Sequence, residues 1–124
     1  MLRPYLMKKI AFLMDPIDSL SLKKDSTLAM IRSAQLRDLD IYYLRQEDLA
    51  LHEGRACGLI SSLKLRDDFA QTLDPAIAGD DWYTLGEETL RPLADMDIIM
   101  MRKDPPFDME YIYTTYLLER AETD

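Results

Sequence analysis

Two short stretches, Ile10-Ala11-Phe12-Leu13-Met14 and Ile98-Ile99-Met100-Met101, are apolar at every position, and both stop abruptly. Asp15-Pro16 ends the first and Arg102-Lys103-Asp104-Pro105-Pro106 ends the second. Both runs are too short for a helix. Strand side chains alternate between faces, so an unbroken apolar strand must be buried on both. Proline supplies no amide to a ladder and halts each run. The pattern predicts strands over 8–14 and 97–101 inside a parallel sheet covered on both faces. With 124 residues, 48% of them apolar, the chain is sized for one such core.

The remaining elements are read around these strands. Asp25 is suited to capping a helix whose Thr27, Met30, Ile31 and Ala34 share one face, running to about Arg37. Ile41 to Leu44 reads as a second strand, which completes a right-handed strand-helix-strand crossover. Leu49 to His52 and Arg55 to Ile60 flank Glu53-Gly54 as a hairpin, whose second arm extends towards Arg66. Residues 67–88 carry turn signals at Asp67-Asp68, Asp74-Pro75, Gly79-Asp80-Asp81 and Gly86, with Trp82 and Tyr83 docking them on the core. Leu90 to Ala94 reads as a short turn or helix. Asp108 starts a last helix with Met109, Ile112, Tyr113, Tyr116, Leu117 and Ala121 in one stripe. The whole is an α/β domain: three central parallel strands, helices on the faces and an inserted β-hairpin.

Composition excludes several functions. Fifteen Lys and Arg against 23 Asp and Glu leave a net charge of −8, which opposes nucleic-acid binding. Cys57 and His52 are each the only residue of their kind. That excludes an internal disulfide framework, a thiolate zinc site and a histidine-cluster metal site, and fits a cytoplasmic setting. The basic start, Arg3, Lys8 and Lys9, precedes only five apolar residues, too few for a secretory signal or a membrane span. Met7-Lys8-Lys9 leads straight into the first strand. Residues 1–6 are therefore expected to be a flexible extension to a single domain over 7–124. Neither GxGxxG nor GxxxxGK[ST] occurs, so the usual pyrophosphate cradle is absent from the sequence.

Ligands of such sheets gather at the carboxyl ends of the strands. Two charged loops leave those ends, Asp15 to Lys24 and Arg102 to Asp108. Arg102 and Lys103 can bind a carboxylate or phosphate, with Asp104 orienting a cation or accepting from an ammonium; equally, they can be a solvated strand end. Lys23-Lys24-Asp25-Ser26 has the same two readings at a helix N-terminus. Asp15 either binds a cation or amine, or closes a turn with Pro16. His52 reads as a surface residue and Cys57 as a small core residue.

Three blocks closely resemble the N-terminal domain of bacterial glutathione synthetase. They are Ile10-Ala11-Phe12-Leu13-Met14-Asp15-Pro16-Ile17, Leu22-Lys23-Lys24-Asp25-Ser26-Thr27-Leu28-Ala29-Met30, and the stretch from Met101-Arg102-Lys103-Asp104-Pro105-Pro106-Phe107-Asp108 to Glu122. The resemblance covers roughly 7–122. Arg37-Asp38-Leu39-Asp40 departs from the family's Arg-Gly turn before the second strand, and 66–82 match loosely.

The resemblance implies a Rossmann-like three-layer domain with a mostly parallel sheet, of the kind that precedes an ATP-grasp domain. It implies a ligase that joins γ-glutamylcysteine to glycine with ATP and Mg²⁺, through an acyl phosphate. The family's ATP- and Mg²⁺-binding residues lie downstream of Asp124, so no cofactor site and no ligation by this chain alone are expected. Asp15, Ser19, Lys24, Ser26, Arg102, Lys103 and Asp104 would form one wall of the γ-glutamylcysteine site. Expected partners are this dipeptide, the chain's own ATP-grasp domain and further copies of itself; neither nucleic acid nor membrane is expected. Eight methionines and a tyrosine-rich last helix favour self-association. The alternative is a stand-alone module for small-anion binding or oligomerisation.

Overall fold

The computed structural model describes residues 8–22, 25–102, 118 and 121. Its centre is β1 (Lys9–Met14), where Ile10, Ala11, Phe12, Leu13 and Met14 are all buried. β1 lies parallel to β2 (Asp40–Leu44) on one side and to β7 (Ile98–Arg102) on the other. Ile10, Phe12 and Met14 enter one apolar cluster; Ala11 and Leu13 enter another on the opposite face. Fully burying a large aliphatic or aromatic side chain is worth about 1.5–3 kcal/mol, so this one strand anchors much of the core.

The first cluster is roofed by α1 (Ser26–Leu36), α2 (Asp67–Thr72) and α3 (Pro75–Ala78). Leu28, Ile31 and Ala34 of α1 pack there with Phe69, Ala70, Ala78 and Trp82. The Gln35 amide locks α1 to the sheet, donating from Nε2 to the Leu65 carbonyl and accepting from the Leu65 amide, both at 2.8 Å. Arg32 ties α1 to α2 through the carbonyls of Ala70 and Gln71.

The second face is covered differently. β3 (Leu49–His52) and β4 (Arg55–Leu65) form the expected hairpin, turning at Glu53 and Gly54, both at positive φ. Such a two-residue turn matches the twist of its strands and favours glycine. β4 crosses from one cluster to the other: Ala56 and Ile60 enter the second, Leu63 and Leu65 the first. Gly58 permits that curl, since a Cβ there would lie 2.8 Å from the Leu44 side chain. Leu93, Met96 and Ala121 complete this face, with Leu118 packed against it.

The sheet order is β3-β4-β2-β1-β7, with β5 (Tyr83–Leu85) and β6 (Thr89–Pro92) also pairing with β4. Among the described residues two pairings are parallel and four antiparallel. The sheet is therefore mixed, with a parallel centre, and not mostly parallel as expected. The reason is β4, a single strand of 11 residues that pairs antiparallel with β2, β3, β5 and β6.

Four further expectations need correction or lie outside the described residues. Residues 89–92 form β6, and only Leu93–Asp95 is a helical turn. Residues 67–88 hold two helices and a strand, because Asp67-Asp68 and Asp74-Pro75 act as helix starts as well as turn signals. The extension over 1–6 and the final helix lie outside the described residues, except that Leu118 and Ala121 are helical.

Asp38 lies at φ 60, the left-handed region that glycine favours, at the departure from the Arg-Gly turn. Non-glycine residues pay about 1 kcal/mol there.

Candidate functional site

The carboxyl ends of β1 and β7 are neighbours: Met14 is in register with Arg102, so Asp15 follows directly beside the arginine strand end. The N-terminus of α1 faces the same end. Asp25 caps it as expected, its Oδ1 accepting from the amides of Thr27 at 2.8 Å and Leu28 at 3.4 Å. Arg102 reaches across from β7, donating from Nε to Thr27 Oγ1 at 3.2 Å and from Nη2 to Ser26 Oγ. The end of β7 and the first turn of α1, some 75 residues apart in the chain, are thus fastened together.

The charge distribution follows from these contacts. Among the described residues the Arg102 guanidinium meets hydroxyls and forms no ion pair, so its charge is not cancelled by them. A guanidinium carries five N–H donors, and the hydroxyls engage only part of the fork. The helix terminus adds positive potential, offset in part by the Asp25 carboxylate on its first amides. Asp15, half-buried at the end of β1, supplies negative charge on the adjacent strand. The two strand ends thus carry opposite charges on adjacent strands.

The loop after β1 is built on a helical turn, Ile17–Ser19. Ser19 donates from Oγ to the Pro16 carbonyl at 2.6 Å, so its hydroxyl proton serves the turn. The Ile17 amide donates to the Tyr43 hydroxyl of β2 at 3.2 Å, in a buried setting. Burial pushes the Tyr43 phenol above its usual range, opposed by the Ile17 amide and the Arg45 charge.

Of the seven sequence candidates, the structure brings Ser26 and Arg102 into contact and sets Asp15 next to the Arg102 strand end. It turns the Ser19 hydroxyl into its own loop. Lys24, Lys103 and Asp104 lie outside the described residues. Sequence reasoning missed Thr27 and Tyr43 as site residues. Thr27 was assigned only to the buried face of the helix; the signal was the second hydroxyl in Asp25-Ser26-Thr27. Tyr43 had no local signal, since its partner is 26 residues away. His52 is exposed at the hairpin and Cys57 is buried and free.

Among the described residues no group of three or more His, Cys, Asp or Glu side chains is placed to hold a metal. No described helix is long and apolar enough to cross a membrane.

Fold and candidate site together define a mixed α/β domain with charged side chains at the carboxyl ends of its parallel strands. The chain belongs to the family described as the prokaryotic glutathione synthetase N-terminal domain, whose model matches residues 8–124. It is 51% identical to glutathione synthetase of Pseudomonas putida over 116 residues, covering 94% of this chain and 33% of that protein. It is 43% identical to that of Shewanella oneidensis over 116 residues, covering 94% and 34%, and 46% identical to that of Nitrosomonas europaea over 114, covering 92% and 33%. The chain spans about a third of the length of these curated relatives.

A raised phenol value means that the folded state holds the Tyr43 proton more tightly than the unfolded chain does. The Tyr43 contribution to stability is then intact below the unfolded value of about 10 and is lost as the pH rises through the folded value. Urea unfolding between about pH 8 and pH 11 is expected to show this fall, and Tyr43→Phe to flatten it; an equal slope in both proteins would contradict the assignment.

Proposed function

We propose that this chain is the N-terminal domain of a glutathione synthetase and contributes one wall of its γ-glutamylcysteine site. The contact between Arg102 and the Ser26 and Thr27 hydroxyls carries this reading. The dipeptide has carboxylates for Arg102 and an ammonium for Asp15, a match of charge that a neutral ligand would lack. Ser19, Lys24, Lys103 and Asp104 belong to the same loops and are proposed to complete the wall. Residues 7–124 form the domain, and 1–6 an extension to it.

In the full-length protein, ATP and Mg²⁺ would phosphorylate the cysteinyl carboxylate, and the glycine amine would displace phosphate. The described residues do not fit those groups. They include no cluster of three metal-ligating side chains, and the sequence has no glycine-rich phosphate loop. No phosphoryl-transfer step therefore runs through them; their part is to hold and orient the peptide, with the chemistry on an ATP-grasp partner domain. The parallel centre β2-β1-β7 supports reading the domain as the Rossmann-like, pre-ATP-grasp type. A cytoplasmic setting goes with ATP use and a lone free cysteine.

Calorimetric titration with γ-glutamylcysteine is expected to give binding heat for the chain and at least about a tenfold weaker affinity for Arg102→Ala, as loss of a charge-assisted hydrogen bond implies. Equal affinity in both would contradict the reading, as would release of phosphate when the chain alone meets ATP, Mg²⁺, γ-glutamylcysteine and glycine. Self-association is expected as well. Leu59 and Leu90 are exposed and directly opposite each other on β4 and β6, a surface suited to cover by another domain or copy. A monomer by light scattering at high concentration would count against it.

A further inference from the structure

We propose that Tyr43 is a positioning residue which fixes the loop after β1, and with it Asp15 and Ser19, in the conformation that receives the peptide. The inference rests on the reading of the site under the previous heading and goes beyond it by assigning a role to a residue outside the two site loops.

Pro16 has no amide proton, so Ile17 carries the first backbone donor after Asp15. Ile17 also opens a helical turn, where leading amides have no partner within the turn. The turn uses its other groups on itself: the Ser19 amide and hydroxyl both donate to the Pro16 carbonyl, and the Leu20 amide donates to the Ile17 carbonyl at 3.2 Å. Bonds of that kind shape the loop but do not attach it to anything. A loop so built can move as one piece.

Two features of Ile17 attach it. Its side chain is 3% exposed, seated in the cluster under α1. Its amide donates to the Tyr43 hydroxyl, a hydrogen bond that joins the loop to β2. Tyr43 lies on β2 opposite Phe12 of β1, with its ring in the same cluster. The ring therefore starts inside the sheet, and its oxygen collects the leftover amide beyond the end of β1. The attachment falls midway between Asp15 and Ser19, two residues from each. A shift of the loop would move both.

The phenol remains protonated at neutral pH, and its oxygen stays a neutral acceptor. Phenylalanine would keep the ring and delete only this acceptor, leaving the Ile17 amide buried without its partner.

The test uses amide hydrogen exchange by NMR and calorimetry with γ-glutamylcysteine, on the 124-residue chain and on Tyr43→Phe. In the unmodified chain the Ile17 amide is expected to be protected. An unprotected Ile17 amide overturns the proposal without any variant. In Tyr43→Phe, Ile17 exchange is expected to accelerate by about tenfold or more, as loss of a buried hydrogen bond implies, while the Phe12 and Ile31 amides keep their protection. Dipeptide affinity is expected to fall severalfold in the same variant. Unchanged Ile17 exchange overturns the latch. Faster exchange with unchanged affinity overturns the positioning role and leaves a purely structural bond. If the unmodified chain binds no dipeptide, the substrate reading fails, and Tyr43 then positions nothing for it; the exchange data still report separately whether the latch exists.

Discussion

The burial of β1 on both faces is the constraint on which the structure depends. A strand with five consecutive buried apolar side chains is stable only between two covers. On one side α1, α2 and α3 supply the cover; on the other the curled strand β4, the turn at Leu93, and Leu118 and Ala121 supply it. β2 and β7 then flank β1 in parallel, which brings their carboxyl ends to one edge. The site is a consequence of that parallel arrangement. Asp15 and Arg102 are neighbours because Met14 and Arg102 are in register.

A second constraint acts at that edge. Parallel strands need a crossover, and α1 provides it between β1 and β2, so its N-terminus returns to the same end. The terminus carries orphan amides, which Asp25 satisfies, and two hydroxyls, which Arg102 engages. The arginine therefore acts twice. It ties β7 to the start of α1, and it places cationic charge at the strand end that adjoins Asp15.

Much of the parallel centre was legible because its signals are local. Unbroken apolar runs bounded by Asp-Pro and Pro-Pro give β1 and β7, Asp25 gives the start of α1, and Glu53-Gly54 gives the hairpin. Beyond that hairpin the antiparallel part was not legible, because β4 owes its pairings with β2, β5 and β6 to other segments of the chain. Thr89 to Pro92 is too short to show a period, and becomes a strand only by pairing with residues 57–60. Asp67-Asp68 and Asp74-Pro75 carry signals common to turns and helix starts, and tertiary contacts of Phe69 and Ala78 decide between them. At the site, charged loop residues were legible, whereas Thr27 and Tyr43 were not. Their roles come from hydrogen bonds across 75 and 26 residues of sequence, which no periodicity reveals.

The edge formed by β1, β7 and the start of α1 is the proposed place of peptide binding. Amide chemical-shift mapping on addition of γ-glutamylcysteine tests it most directly. The account predicts shifts concentrated at residues 15–19, at Ser26, Thr27 and Leu28, and at Arg102. Shifts concentrated instead on the β3–β4 hairpin or β6, or none at saturating dipeptide, would contradict it.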